Sequence, residues 1–267
     1  MDAFPIAPET RFDFGRNWQS FVGAIDGRRV DAAIQGLDRL IGREAIKGKP
    51  FFDVGCGSGL SMLAALELGA SEVHGIDVDP HSVDATRALL SSRAKSGLWS
   101  VAHKDVFDET RKFPVVHSWG VLHHTGDLWR AIDHTSTLVS PGGLLAIAIY
   151  QKTPLCNLWA VAKRTYCKTP LLQPVARLTF KTAFCAGLLA TGRNPLNHIK
   201  RYRERGMSWS HDVHDWLGGF PYQSASSDDT LVRLSHLGFS AKRIDSKNAG
   251  VGIFGSICAE YIGRRSN

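Results

Sequence analysis

Three short stretches carry residue types that could do chemistry. In DVGCGSG, residues 53–59, glycines recur at Gly55, Gly57 and Gly59, directly after an apolar run and before a helical pattern. Glycines at such a turn let backbone N–H groups come close to a ligand and adopt φ values that other residues avoid. In WGVLHHTGD, His123 and His124 stand side by side. Imidazole titrates where a hydroxyl or thiol must lose its proton, so a histidine there suits proton transfer. In RGMSWSHDVHDWLGGFP, residues 205–221, two histidines, two aspartates and two tryptophans crowd together. Helical spacing puts His211 with His214, and Asp212 with Asp215, on one face. Metal sites want three or four converging ligands, and the sequence offers these pairs no evident partner, so no metal is expected.

The elements that must position these residues follow from periodicity. Strand-like runs at Pro50–Val54, Glu72–Asp77, 98–103, 115–119 and 144–150 alternate with helix-like patterns at 58–68, Pro80–Arg93 and 127–138, after an earlier helical pattern at 30–41. Alternating β and α predicts an α/β fold with a doubly wound, mostly parallel sheet, whose ligands sit at the carboxyl edge of the strands. After residue 150 the alternation stops, and a proline-punctuated, helix-leaning stretch runs to 205. It resumes with a helix at 228–237 and strands at 240–244 and 251–261, predicted to close a seven-stranded sheet with one reversed strand. The resulting division is 1–45 as N-terminal lid helices, 46–150 as the cofactor-binding core, 151–205 as a helical insertion, and 206–267 as acceptor-pocket segment and end of the sheet.

Three acids fall at strand ends. Asp53 closes the first strand, Asp77 lies at the carboxyl edge of the second, and Asp105 follows the third in KDVFD. A carboxylate in the position of Asp77 can accept hydrogen bonds from both hydroxyls of a ribose. Asp79, directly before Pro80, is the better candidate for capping the next helix. The G-x-G-x-x-G of a dinucleotide fingerprint is absent, because the third glycine comes one residue early and Leu60 occupies the later position. That pattern argues against NAD and FAD.

Asp53-x-Gly55-x-Gly57-x-Gly59, with Asp77 and Asp105 at their spacings, resembles the class I S-adenosylmethionine-dependent methyltransferases over roughly the first 150 residues. The resemblance implies S-adenosyl-L-methionine as cofactor, with Asp53 and Gly55 along its methionine moiety, Asp77 on the ribose, Val78 beside the adenine and Asp105 at the adenine amino group. Cys56, Val106 and Trp119 join that expected set as neighbours of these motifs. Leu122-His123-His124 is similar to the strand-four turn of the quinone-biosynthesis O-methyltransferase group, where glutamate stands at the position of His123. His211-Asp212 is similar to a Thr-His-Asp segment of the same group, where the chain returns over the acceptor pocket. His124, His123 and His211 are therefore the expected catalytic histidines. Trp18, His211, Asp212 and Trp216 are the expected acceptor-pocket residues, with Trp18 the nearest to the ligand among the aromatic residues Phe12, Phe14, Trp18 and Phe21.

Charge is unevenly placed. The chain has 267 residues and a net charge of +7. Residues 151–205 hold eleven basic residues and one acid, a local excess of ten positive charges, which leaves the rest with three net negative charges. This basic segment, mixed with leucines and phenylalanines, fits peripheral contact with an anionic membrane as well as a solvated face or subunit contact. It lacks an RNA-binding signature, so nucleic acid is not the expected partner. No apolar run reaches membrane-spanning length, and the five scattered cysteines (Cys56, Cys156, Cys167, Cys185, Cys258) fit reduced thiols, so a cytoplasmic protein is expected. The expected activity is transfer of a methyl group to a small, partly apolar acceptor with a hydroxyl oxygen as nucleophile. A small thiol or amine, and a non-catalytic or membrane-associated regulatory module that binds the cofactor, are the alternatives. Oligomeric state is left open.

Overall fold

The apolar runs become seven strands: β1 (Pro50–Val54), β2 (Glu72–Asp77), β3 (Trp99–His103), β4 (Phe113–Trp119), β5 (Val139–Tyr150), β6 (Phe239–Ile244) and β7 (Cys258–Arg265). The computed structural model describes residues 12, 14–23, 25–204, 209–244 and 258–267, with the side chains of 201–204 and 211 outside the description. The strands form one sheet in the order β3-β2-β1-β4-β5-β7-β6. The first five strands run parallel, and β7 is antiparallel to both β5 and β6. Strand order reverses between β1 and β4, and a crevice opens at such a switch point outside the carboxyl ends of the strands.

Eleven α-helices are described: α1 (Phe14–Val22), α2 (Gly27–Leu40), α3 (Arg43–Ile46), α4 (Leu60–Glu67), α5 (Pro80–Arg93), α6 (Leu128–Thr137), α7 (Cys156–Lys168), α8 (Gln173–Ala190), α9 (Pro195–Glu204), α10 (Trp209–Gly218) and α11 (Ser227–His236). Their starts are written in local chemistry. Asp79 accepts from the His81 N–H ahead of α5, whose first residue is proline, and Asp127 and Ser226 cap α6 and α11 in the same way.

Successive residues of a strand face opposite sides of the sheet, and β1 shows how that builds two cores. Phe51 packs with Met62, Leu63, Leu89 and Leu90 on the side covered by α2, α4 and α5. Phe52 packs with Val116, Ile132, Leu145 and Tyr261 on the side covered by α6 and α11. Burying one such phenylalanine contributes about 1.5–3 kcal/mol, so these two faces carry much of the stability. A third, smaller cluster joins Tyr166, Val213 and Leu217 to Phe12, Phe180, Trp209 and Trp216, and fastens the insertion helices to α10.

Strands β5 and β7 depart most from the sequence expectation. β5 begins at Val139, ahead of 144, because Phe113 of β4 pairs with Val139 before the register shifts. The last strand is Cys258–Arg265 and runs past the expected end at 261; its Ala259 and Tyr261 are the inward residues. Residues 251–257 of that expected strand lie outside the described residues.

Candidate active site

The turn after β1 has the geometry that its glycines imply. Gly55, Gly57 and Gly59 all have positive φ, at 75°, 54° and 78°. A Cβ on Gly55 would lie 2.4 Å from Val121 Cγ1, and one on Gly59 would lie 2.9 Å from Thr86 Cγ2, so side chains are barred there. The Gly57 N–H donates to Asp77 Oδ2 at 3.0 Å, and the Asp79 N–H donates to Asp77 Oδ1 at 2.9 Å. Burial nevertheless pushes the Asp77 carboxyl up to about 6, because desolvation outweighs the two N–H donors. Trp18 of α1 covers this turn, with its Nε1 3.3 Å from where a Gly57 Cβ would stand. Asp79 ties α1 down by accepting from the Gly15 N–H at 2.8 Å.

The other members of the expected cofactor set divide. Val78 is 49% exposed at the edge, and Asp105 accepts from the Phe107 N–H at 3.1 Å. Cys56 and Val106 are core residues, each 6% exposed, because their side chains point down into the two apolar clusters. Burial raises the Cys56 thiol well above its ordinary pKa. Asp53 is turned inward: it pairs with His117 Nδ1 at 2.7 Å, since the two residues are register partners on β1 and β4 and both are almost fully buried. Trp119 is half-exposed and donates from Nε1 to Glu260 Oε1 at 3.0 Å, with Arg39 of α2 on the same carboxylate. Cys56, Val106 and Asp53 thus support the turn from below rather than line it.

The histidine pair lies after β4 in a short 3-10 turn, Leu122–His124. His124 donates from Nδ1 to the Pro221 carbonyl at 2.7 Å, so its Nε2 keeps the lone pair. Burial, against the opposing pull of that carbonyl, brings His124 down to about 3, which keeps the ring neutral. Its ring meets Phe14 of α1 at 5.1 Å and Tyr150 at 5.4 Å. His123 is fully buried against Tyr150, ring centroids 3.8 Å apart.

α10 does less of what its composition suggested. Trp216 packs against Trp159 at 4.5 Å and Phe180 at 5.1 Å, on the insertion, because the apolar faces of α7 and α8 meet α10 there. Trp209 likewise faces Phe184 and His198. Both tryptophans anchor the insertion, a correction to the expected place of Trp216 in the acceptor pocket. His214 Nδ1 is bound to the Tyr166 hydroxyl at 2.7 Å. Asp212 is partly buried on the same helix, while the side chain of His211 lies outside the described residues. Among the described residues no group of three His, Cys, Asp or Glu side chains converges as a metal site.

Composition hid one residue. Lys163, counted with the basic segment, is fully buried, with its ammonium 4.2 Å from the Trp216 ring centre, 5.1 Å from that of Tyr222 and 5.7 Å from that of Tyr150. It donates to the Trp216 carbonyl in the last turn of α10. Burial brings its pKa down to about 7. The available signal was helical spacing: Trp159, Lys163 and Tyr166 share one face of α7, and both aromatic residues pack inward.

Residues 52–145 match a family model described as "Methyltransferase domain". Residues 52–145 form a class I S-adenosylmethionine-dependent methyltransferase domain. The matched span holds the glycine turn, Asp77, Asp105 and the histidine pair. The chain is 50% identical over 116 residues to a ribosomal protein L11 methyltransferase of Tolumonas auensis, covering 43% of this chain and 37% of that protein. It is 28% identical over 133 residues to a ubiquinone biosynthesis O-methyltransferase of Neisseria meningitidis, covering 49% and 56%. It thus spans about two fifths to just over half the length of these relatives. The fold is shared with magnesium protoporphyrin IX methyltransferase from Synechocystis with bound S-adenosylhomocysteine, at TM-score 0.55 and 15% identity over 94% of this chain and 93% of that one. A methyltransferase from Mesorhizobium loti matches at TM-score 0.55 and 15% identity over 88% and 100%. The residues of the turn fit S-adenosylmethionine: three positive-φ glycines directly after β1, and the part-buried Asp77 carboxylate at the carboxyl edge of the neighbouring strand β2.

Proposed function

We propose that this chain moves a methyl group from S-adenosylmethionine to a hydroxyl oxygen of a small, partly apolar acceptor by in-line displacement. When bound, the cofactor supplies an electrophilic methyl on a sulfonium sulfur. The chain's part is to hold the acceptor in line and relieve it of its proton. The observation that carries the reading is His124, neutral and fixed by the Pro221 carbonyl so that Nε2 offers its lone pair at the carboxyl edge of the sheet. An imidazole of lowered basicity takes the proton of an acidic hydroxyl, a phenol or enol, more readily than that of an alcohol, because the transfer is less uphill. Asp77 holds the ribose, Asp105 and Val78 flank the adenine, and Trp18 closes over the turn to keep water from the sulfonium. Incubating the full chain with methyl-labelled cofactor and separate pools of phenols, thiols and amines tests this. Label in phenols supports it; label confined to amines or thiols overturns the oxygen assignment.

The same proposal places the protein in the cytoplasm with residues 151–205 against a membrane surface. Leu158, Val161, Leu171, Leu172, Val175, Leu178, Leu189 and Leu196 are all more than half exposed in this basic segment. Val175, Leu178 and Leu189 share one stripe of α8, with Arg177 and Lys181 beside it, the pattern of a helix lying in a headgroup layer. Among the described residues no helix is long and apolar enough to cross a membrane. Sedimentation with anionic vesicles, lost in Leu178→Glu, is the expected result; no sedimentation of the parent chain contradicts it.

A further inference from the structure

The two adjacent histidines are held in opposite tautomers. The Tyr150 N–H donates to His123 Nδ1 at 3.3 Å, so Nδ1 carries the lone pair and the proton of the neutral ring sits on Nε2. That Nε2 is buried and meets no hydrogen-bond partner among the described residues. His124 is arranged the other way, with its proton on Nδ1 facing the Pro221 carbonyl and its lone pair on Nε2. The two rings lie 4.3 Å apart, so one presents a donor and its neighbour an acceptor within the span of a small molecule.

Leaving a buried donor without its hydrogen bond is unfavourable, and packing alone gives no reason to bear it. A buried cation lies close by. Lys163 shares the Tyr150 ring, and one of its three donors reaches the Trp216 carbonyl. Among the described residues no carboxylate stands within ion-pair distance of it; Asp212 of α10, Cys167 of α7 and Cys258 of β7 act on it only at longer range. The helix end and the aromatic rings offset part of the cost of burying this ammonium, and an anion would offset the rest.

We infer that His123 Nε2–H and the Lys163 ammonium hold a carboxylate of the acceptor, next to the hydroxyl whose proton His124 takes, so that the substrate is a hydroxy acid. This rests on the methyl-transfer reading above and narrows its acceptor. The hydroxyl oxygen forms the new bond to the methyl carbon as the carbon–sulfur bond breaks, its proton passes to His124 Nε2, and the carboxylate is unchanged. His123 exchanges no proton; it orients.

The test uses the full chain loaded with S-adenosylhomocysteine and three probes, 2-hydroxybenzoate, 1,2-dihydroxybenzene and phenol, titrated by calorimetry. 2-Hydroxybenzoate should bind about tenfold or more tighter than either neutral probe, since a site built around buried donors rejects analogues that leave them unpaired. His123→Phe keeps a ring on Tyr150 and removes the donor; it and Lys163→Met should each erase the preference while S-adenosylhomocysteine affinity stays unchanged. Equal binding of the three probes, no binding of any, or a preference that survives both substitutions overturns the inference. Nitrogen-15 spectra of histidine-labelled parent chain give a second reading that needs no variant. They should show His123 protonated on Nε2 and His124 on Nδ1, and a shared tautomer overturns the inference. Failure of the parent chain to bind S-adenosylhomocysteine would instead sink the methyl-transfer reading itself.

Discussion

A neutral imidazole serves as a proton acceptor only while its lone pair is unspent, and at His124 one carbonyl decides this. Because Nδ1 is committed to the Pro221 carbonyl, His124→Gln removes the only ring lone pair that position offers. Turnover should fall about 10²–10⁴-fold in single-turnover assays, with cofactor affinity unchanged. Asp77 gives a binding test at the same scale. Asp77→Ala should weaken cofactor affinity about a hundredfold by calorimetry, the loss of charged hydrogen bonds to two hydroxyls. Its carboxyl is raised to about 6 by burial and, in the proposed ribose contact, would accept the hydroxyls best when ionised. Cofactor affinity should therefore be full above that pH and decline as pH falls through it, and a flat profile in Asp77→Asn would identify the group.

Among elements, the turn after β1 and helix α10 were unequally legible in the sequence. The glycines announced the turn because positive φ and close approach leave no other residue type, and the structure shows both at Gly55 and Gly59. Gly55→Ala should accordingly cost about 2 kcal/mol or more of stability in denaturant unfolding, and abolish cofactor binding, since its Cβ would collide with Val121. The capping acids were equally readable, Asp79 before Pro80 above all. α10 was misread because a helix with tryptophans and histidines looks the same whether it faces a ligand or a neighbouring helix. Its tryptophans went to α7 and α8, whose apolar faces the sequence could not place in space. Asp53 and Lys163 escaped for a related reason. Their roles depend on partners 64 and 53 residues away, His117 and the Trp216 carbonyl, and no local pattern announces such contacts.

At the scale of the whole molecule, one charge distribution and one buried acid set the expected behaviour. The positive excess is confined to 151–205, so membrane attraction, where it occurs, should weaken with salt as a surface effect does. Asp215 of α10 has a buried Oδ1 that meets no partner among the described residues, and burial, against a hydrogen bond from Asn17, pushes its carboxyl up to about 8. Between the unfolded value near 4 and that raised value the fold binds a proton that the unfolded chain releases, so this group makes stability fall as pH rises through the window. Asp215→Asn should raise the melting temperature at pH 8 by about 3 °C or more and leave it nearly unchanged at pH 4, as calorimetric scans would record. The doubly wound sheet and its one reversed strand were legible at this scale because alternation of β and α leaves few topologies, whereas the packing of the insertion was not. The central claim, methyl transfer to a hydroxyl with His124 taking the proton, meets its most direct test in one assay. The full chain and His124→Gln are incubated with methyl-labelled S-adenosylmethionine and a panel of hydroxy acids and phenols, and labelled ether is counted. The account predicts labelled ether from the parent chain and about a hundredfold less from the variant. No labelled product from any acceptor, or equal product from both proteins, would contradict it.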